Sequence, residues 1–262
     1  MLSRLRWIAA VLVILTGSEV EKSGLSWAKD TNSDRGIALQ TVLELEQTAR
    51  LLAILLDSGR SVINENQVLF DDPGKREKGF APEVFERQLT DMFRSRSGID
   101  LADLESVRIP ASAKGLLRDL VALSKQVVAE AQPEISRPKV GSKGFIPAVF
   151  GARVATRFTE RTGVRMKQTA LDPRNPANAP DSSERASLEI FADPSYPREK
   201  VISETTAASG ALRLMFPLYT TRQCLACHGE PKGTLDRTGY PREGLKLGQN
   251  AGAISVVIAI SK

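Results

Sequence analysis

The chain has 262 residues, of which 42% are hydrophobic and 26% are charged, proportions typical of a globular protein of one or two domains and not of a disordered or fibrous one. Its formal net charge is +5, but 36 basic residues are scattered among 31 acidic ones, and only 5% of residues are aromatic. The composition therefore argues against a nucleic-acid partner, whose binding surface needs basic residues clustered on one face.

The N-terminal residues predict export from the cytoplasm. Arg4 and Arg6 precede an apolar run over residues 7–15, the order found in secretory signals. The run is shorter than the roughly 20 residues that span a bilayer, and residues 26–28 (Ser-Trp-Ala) offer a small-x-small cleavage site. Two interpretations stay open, a signal peptide over residues 1–28 or an uncleaved N-terminal anchor that associates with a membrane. Both place the body of the protein in the periplasm or another extracytoplasmic compartment.

The next part of the chain is predicted to be helical. Residues 32–34 (Asn-Ser-Asp) are expected to cap the first helix. Pro82 suits the first turn of the second helix because an N–H there has no intrahelical partner, and Gly98 suits the position after its end. Residues 99–112 are expected to be irregular. The predicted helices cover residues 36–66, 83–96 and 114–131.

The chain also repeats itself. Residues 78–85 (KGFAPEVF) return 65 positions later as residues 143–150 (KGFIPAVF). Such a fixed offset predicts a duplicated unit of a long helix, a Gly-Phe-x-Pro turn and a short helix. The alternative is two helical hairpins that are alike through packing need alone. The same offset relates further identical pairs: Gln67 and Gln132, Phe93 and Phe158, and Gly98 and Gly163.

After residue 163 the pattern changes from helix to strand. Residues 173–180 are rich in Pro and Asn and are expected to form a loop, and residues 181–184 are expected to cap a short helix that ends near residue 191. Strands are predicted over residues 164–170, 201–206, 211–219 and 252–260. The predicted fold class is therefore α+β, with an N-terminal helical segment followed by an antiparallel sheet.

One motif carries chemistry. Cys224-Leu225-Ala226-Cys227-His228 is C-x-x-C-H, the attachment signature of c-type haem. Two thiols at this spacing can form thioethers to the two vinyl groups of one porphyrin, and the adjacent histidine can bind the iron. We therefore expect one covalent haem c, attached through Cys224 and Cys227, with His228 as the proximal metal ligand. The motif holds both cysteines and the single histidine of the chain.

Other uses of the motif are less favoured. A structural zinc site needs four ligands, and two cysteines and one histidine supply only three; Glu230 would be an unusual fourth. A thioredoxin-type redox pair expects a βαβ context, which the predicted elements do not provide. A disulfide between Cys224 and Cys227 would close a small strained loop.

The other side of the iron and the haem propionates have weaker candidates. A second histidine is absent, so the sixth iron ligand is a methionine, a weaker ligand or nothing. Met166 and Met215 lie on predicted strands and are preferred to Met92, although methionine more often serves in core packing. Arg174, in the Pro/Asn loop, could pair with a propionate through its forked guanidinium; the alternative is a surface charge in a turn.

Several segments in one order carry a family resemblance. They are residues 145–150 (FIPAVF), residues 174–180 (RNPANAP), residues 224–229 (CLACHG) and Gly239-Tyr240-x-x-Glu243-Gly244. The set resembles bacterial c-type-haem-binding domains with a PAS-like fold, long catalogued as a domain of unknown function. The resemblance covers roughly residues 36–260 and implies a PAS-like antiparallel sheet that carries one covalent haem. Some members place a cysteine thiolate opposite the histidine, and this chain has no cysteine left for that role.

The predicted organisation has three parts: residues 1–28 as the signal or anchor, residues 29–113 as a helical region with the first copy of the repeat, and residues 114–262 as the haem domain. The preferred function is an extracytoplasmic sensor of redox state or of a diatomic gas. Because no kinase or DNA-binding segment follows the last strand, it would signal through a partner protein. The alternative is a single-haem electron-transfer protein with a redox partner. A haem enzyme is less favoured, because no distal histidine is available for acid–base work.

Overall fold

The computed structural model describes residues 26–72, 74–75, 78–136, 144–206 and 210–260, without the side chains of residues 26–38 and 206. The predicted signal or anchor lies outside these ranges except for its last three residues. In chain order the elements are α1 (Ser26–Glu65), α2 (Gln67–Asp71), α3 (Pro82–Ser97), α4 (Ala111–Glu130), α5 (Gln132–Ser136), α6 (Pro147–Thr162), β1 (Arg165–Thr169), α7 (Ser182–Ala192), β2 (Ile202–Thr206), β3 (Ala211–Tyr219), α8 (Leu225–His228) and β4 (Asn250–Ala259).

The chain divides into two compact units, residues 1–39 and residues 40–262. Of the first unit, the structure describes only residues 26–39, which form the N-terminal part of α1. The second unit contains the other described elements. None of the described helices is both long enough and apolar enough to cross a membrane. The predicted division at residue 113 stays a prediction.

Helix α1 begins at Ser26 and not near residue 36. Residues 32–34, which were expected to cap it, lie inside it, so this prediction is wrong. The physical reason is that Asn, Ser and Asp cost at most about 0.7 kcal/mol each in a helix interior, and no proline interrupts the segment. Their preference for caps therefore does not force a helix to start.

The structure contains two copies of one helical unit. Helices α2 and α5 begin 65 residues apart, and so do α3 and α6, each of which has proline at its first position. Gly98 and Gly163 follow the two longer helices with φ of 73° and 74°, a left-handed conformation that glycine adopts without steric cost. Both glycine N–H groups donate to the carbonyl oxygen four residues earlier.

Two glutamines, the buried Gln67 and the half-buried Gln132, join the two copies by hydrogen bonds. The Gln67 side chain donates to the Phe145 carbonyl oxygen at 2.9 Å, and the Gln132 side chain donates to the Phe80 carbonyl oxygen at 3.0 Å. If each residue is exchanged for its equivalent in the other copy, one contact becomes the other, which is the reciprocal pattern of a two-fold arrangement. The Gly-Phe-x-Pro turn of each copy is thus held by the opposite copy.

The strands form one antiparallel sheet with the order β1-β4-β3-β2. Side chains alternate between the two faces of a sheet. One face packs against the helices and adds Met166, Leu212, Leu214, Ile254 and Val256 to the hydrophobic core formed there, which we call the helical core. The other face packs against α7, where Met215 and Ala253 contact Leu188 and Phe191. The predicted α+β class, with helices first and an antiparallel sheet after them, is confirmed.

Candidate functional site

The C-x-x-C-H motif forms one helical turn at the end of a short loop after β3. The His228 N–H donates to the Cys224 carbonyl oxygen at 2.9 Å, and α8 spans Leu225–His228. Positions i, i+3 and i+4 of a helical turn lie on one face, so the turn places Cys224, Cys227 and His228 together. All three side chains are half-buried, and no disulfide joins the two cysteines.

Gly229 follows the motif because a side chain has no room there. A Cβ atom at this position would lie 2.5 Å from the Leu225 carbonyl oxygen, closer than any van der Waals contact allows. The Gly229 N–H donates to that same oxygen at 3.0 Å and closes the turn. The glycine is therefore part of the geometry that holds the motif.

The residues around Glu243 hold His228 at two points. The His228 Nδ1 atom lies 2.9 Å from a carboxylate oxygen of Glu243, and the Leu245 N–H donates to the His228 carbonyl oxygen at 2.8 Å. With Nδ1 occupied, Nε2 is the ring nitrogen left for a metal ion. No local sequence pattern pairs His228 with Glu243, although Glu243 belongs to the Gly-Tyr-x-x-Glu-Gly segment that carries part of the family resemblance.

Arg174, expected either to pair with a haem propionate or to be a surface charge in a turn, lies at the centre of a network of protein hydrogen bonds. Its Nε and Nη2 atoms donate to both carboxylate oxygens of Glu243, at 2.5 and 2.9 Å, its Nη1 donates to Asp236 at 2.6 Å, and its Nη2 donates to the Cys227 carbonyl oxygen at 2.8 Å. Its guanidinium also lies 5.5 Å from the centre of the Tyr240 ring. Of its five N–H bonds, only one on Nη1 has no acceptor among these contacts, and the propionate contact stays a prediction.

The two acidic partners of Arg174 are ionised. Burial alone raises the pKa of Asp236, but hydrogen bonds from Thr238, Arg174 and the Tyr240 N–H outweigh it and lower the pKa to about 2. Burial also raises the pKa of Glu243, and hydrogen bonds from Arg174 and His228 again leave it below the ordinary value. These carboxylates raise the pKa of Arg174 in turn, against the effect of its burial.

A tight hairpin carries Asp236 and leads into Glu243. The Gly233 and Arg242 N–H groups donate to the carbonyl oxygens of Arg242 and Thr234, both at 2.8 Å. At its tip, Arg237 donates to Asp71 and, at 3.0 Å, to the side-chain oxygen of Gln67. Two hydrogen bonds therefore link the hairpin to α2, in the first copy of the helical unit.

The candidate methionines lie in packed regions. Met166, on β1, is 5% exposed and belongs to the helical core, whereas Met215, on β3, is 1% exposed and packs under α7. Met92 is half-buried on α3. Because Met166 and Met215 lie on opposite faces of the sheet, one group bound at one face can meet at most one of them. The sixth ligand stays open.

A second polar feature lies at the end of β3, close to the motif in the chain. The Tyr219 hydroxyl is buried and has no hydrogen-bond partner in the described part of the chain. The Arg198 guanidinium lies 5.6 Å from the centre of the Tyr219 ring. It packs so closely on Gly248 that a Cβ atom there would lie 2.5 Å from an Arg198 nitrogen. Sequence reasoning missed this pair, because nothing in the sequence predicted that the arginine would cover the end of β3.

Within the described ranges, no three His, Cys, Asp or Glu side chains are grouped as an ion-binding cluster. Cys224, Cys227 and His228 supply two thiols and one imidazole, and a porphyrin would need only the imidazole as a metal ligand, because its own four nitrogens bind the iron.

Comparison with known proteins gives one family and one solved structure. A family model described as Tll0287-like matches residues 39–259. The crystal structure of the cyanobacterial haem protein Tll0287 aligns with 58% of this chain and 98% of that chain, at 18% sequence identity and a TM-score of 0.41. A search of curated proteins gives no match.

Proposed function

The chain belongs to the Tll0287-like family, whose model matches residues 39–259, and from this membership and the site we propose that it is a haem protein with one covalently bound haem c. The observation that carries the proposal is the single turn of α8, which brings both thiols and the only imidazole of the chain to one face. Cys224 and Cys227 would form the thioethers, and His228 would bind the iron through Nε2.

The second polar feature, at the end of β3, fits a porphyrin with acidic substituents. The buried Tyr219 hydroxyl lacks a partner among the described residues, and a buried polar group of this kind costs free energy unless a ligand or water satisfies it. A propionate would accept its hydrogen bond and would pair with the nearby Arg198 guanidinium. Bound haem would supply one-electron redox chemistry and an iron able to bind a small ligand, while the protein residues fix and orient it.

For the physiological role we place sensing of redox state or of a diatomic gas before electron transfer. The observation that favours sensing is the link from the hairpin to the helical unit, where Arg237 donates to Asp71 and Gln67. If the bound haem displaced the hairpin near Glu243, these bonds would transmit the movement to α2, and a partner protein could detect it there. A single-haem carrier needs no such link. An extracytoplasmic location belongs to the same proposal, since covalent attachment of haem c takes place outside the cytoplasm.

The proposal is tested by expression in a host with an intact haem c maturation system, followed by acid–acetone extraction. The colour should stay with the polypeptide, and Cys224→Ala or Cys227→Ala should each leave one thioether and lower the yield of holoprotein. Loss of all colour to the solvent would contradict covalent attachment. Spectra of the reduced protein with and without carbon monoxide separate the two roles, because a carrier with both axial positions filled should not respond.

A further inference from the structure

We propose that Glu243 is a positioning residue for His228, which fixes the imidazole through a hydrogen bond from Nδ1–H and makes it a stronger electron donor to iron. The inference rests on the proposed function, because it requires that His228 bind a haem iron. The contact measures 2.9 Å and joins residues 15 positions apart in the chain.

The carboxylate can act only as the acceptor in this contact. Arg174 donates to both of its oxygens, and a carboxylate paired with a guanidinium in this forked manner stays ionised. An ionised carboxylate has no proton to donate. The proton must therefore reside on Nδ1, which leaves the lone pair on Nε2 toward the metal side.

Contacts to the motif also hold Glu243 in a fixed position relative to it. Arg174, which holds it, donates as well to the carbonyl oxygen of Cys227, the residue directly before His228. Leu245, two residues after Glu243, donates to the His228 carbonyl oxygen. The imidazole and the backbone carbonyl of His228 are thus both held by one short segment, residues 243–245.

The expected effect is on the oxidation–reduction equilibrium. A carboxylate that accepts from the second ring nitrogen raises the basicity of a histidine ligand, and a more basic ligand stabilises ferric over ferrous iron. Hydrogen bonds to an iron ligand are among the means by which a protein tunes the reduction potential of a haem. Replacing the charged acceptor by a neutral one should therefore raise the midpoint potential.

The test compares Glu243→Gln with Glu230→Gln in the full-length holoprotein. Glu230 is exposed and lies two residues from His228, so its substitution removes the same charge nearby without touching Nδ1. Glu243→Gln should raise the reduced-to-oxidised ratio at the parent midpoint at least tenfold, which is about 59 mV for a one-electron couple, and Glu230→Gln should change it far less. Glu243→Asp, which keeps the charge but shortens the reach, should give an intermediate value.

Equal shifts in Glu243→Gln and Glu230→Gln would overturn the proposal, because the effect would then be one of charge alone. A parent protein that carries no haem would instead defeat the proposed function, and the two failures are distinct. If the Glu243→Gln variant does not take up haem, the test is made on the parent holoprotein, labelled with ¹⁵N-histidine and observed by NMR. The chain has one histidine, so its signals need no assignment. The Nδ1 proton should exchange slowly with solvent, and free exchange would overturn the proposal.

Discussion

Phe85 and Phe150 hold equivalent positions in the two copies of the helical unit, and their rings meet edge to face with centroids 5.4 Å apart. The contacts on either side repeat the symmetry, since Phe80 lies 6.2 Å from Phe85 and Phe145 lies 6.2 Å from Phe150. All four rings are at most 2% exposed. The two copies therefore pack against each other through their own aromatic residues. Because Gly59 has no side chain, the Phe150 ring has room beside it.

Phe150→Ala should destabilise the protein by about 3–5 kcal/mol, because the substitution removes a fully buried ring and leaves a cavity that the helices cannot close. Urea unfolding followed by circular dichroism measures the change. Val68→Ala is the matched control, since Val68 is 83% exposed and its truncation should stay within about 0.5 kcal/mol. A loss for Phe150→Ala as small as that of the control would show that this aromatic centre is not packed as described.

The glutamine exchange predicts an asymmetry between the two copies. Gln67→Ala and Gln132→Ala should each cost about 1–3 kcal/mol, because each leaves a phenylalanine carbonyl oxygen without its donor. Gln67 also accepts from Arg237 at 3.0 Å, so its loss should cost more than the loss of Gln132. In a double-mutant cycle, Arg237→Ala should be less harmful in the Gln67→Ala background than in the parent. Additive costs would mean that the hairpin is not coupled to α2 through Gln67.

The local rules of helix structure predicted much of this fold. Pro82 at the start of α3 and Gly98 after its end act through their own backbone geometry, and the capping box at the start of α7 is complete between Asp181 and Glu184. Such signals involve neighbours in the chain. The start of α1 was missed because the cost of polar residues inside a helix is small.

The network around His228 could not be predicted in the same way. Arg174 was recognised as a guanidinium in a loop, but its acidic partners lie 62 and 69 residues away in the chain. No local rule decides which carboxylate crosses such a distance. The pairing of Glu243 with His228 depends on the hairpin between them, whose register is set by its backbone hydrogen bonds.

Asp236 predicts a dependence of stability on acid pH. Its pKa is about 2 in the folded protein against an ordinary 3.8, so ionisation favours the folded state. This contribution of about 2 kcal/mol is complete above pH 4 and is lost as the pH falls from about 4 toward 2. Asp236→Asn should therefore lower the free energy of unfolding at pH 7, and its difference from the parent should shrink over that range.

The measurement is urea unfolding at a series of pH values, with Asp91→Asn as the control. Asp91 is exposed on α3, and its substitution should leave the pH profile of the parent intact. Parallel profiles for the parent and Asp236→Asn would contradict the assignment, because the hydrogen bonds from Thr238 and Arg174 would then not favour the ionised form.

His228→Ala tests the centre of the site. The chain has one histidine, so no second imidazole can replace the lost ligand, and the thioethers at Cys224 and Cys227 do not depend on it. The ferric and ferrous spectra should therefore shift toward a high-spin or water-ligated form. The variant holoprotein should also melt earlier, because it loses the bond between the imidazole and the iron that helps to hold the haem in the folded protein, with about 2–4 °C lost per kcal/mol for a chain of this size. Free imidazole added to the variant should restore the parent spectrum, because it can occupy the vacated position. A variant whose spectra match the parent in both oxidation states would show that His228 is not the axial ligand, and the hydrogen bond from His228 Nδ1–H to Glu243 would then need a role apart from iron.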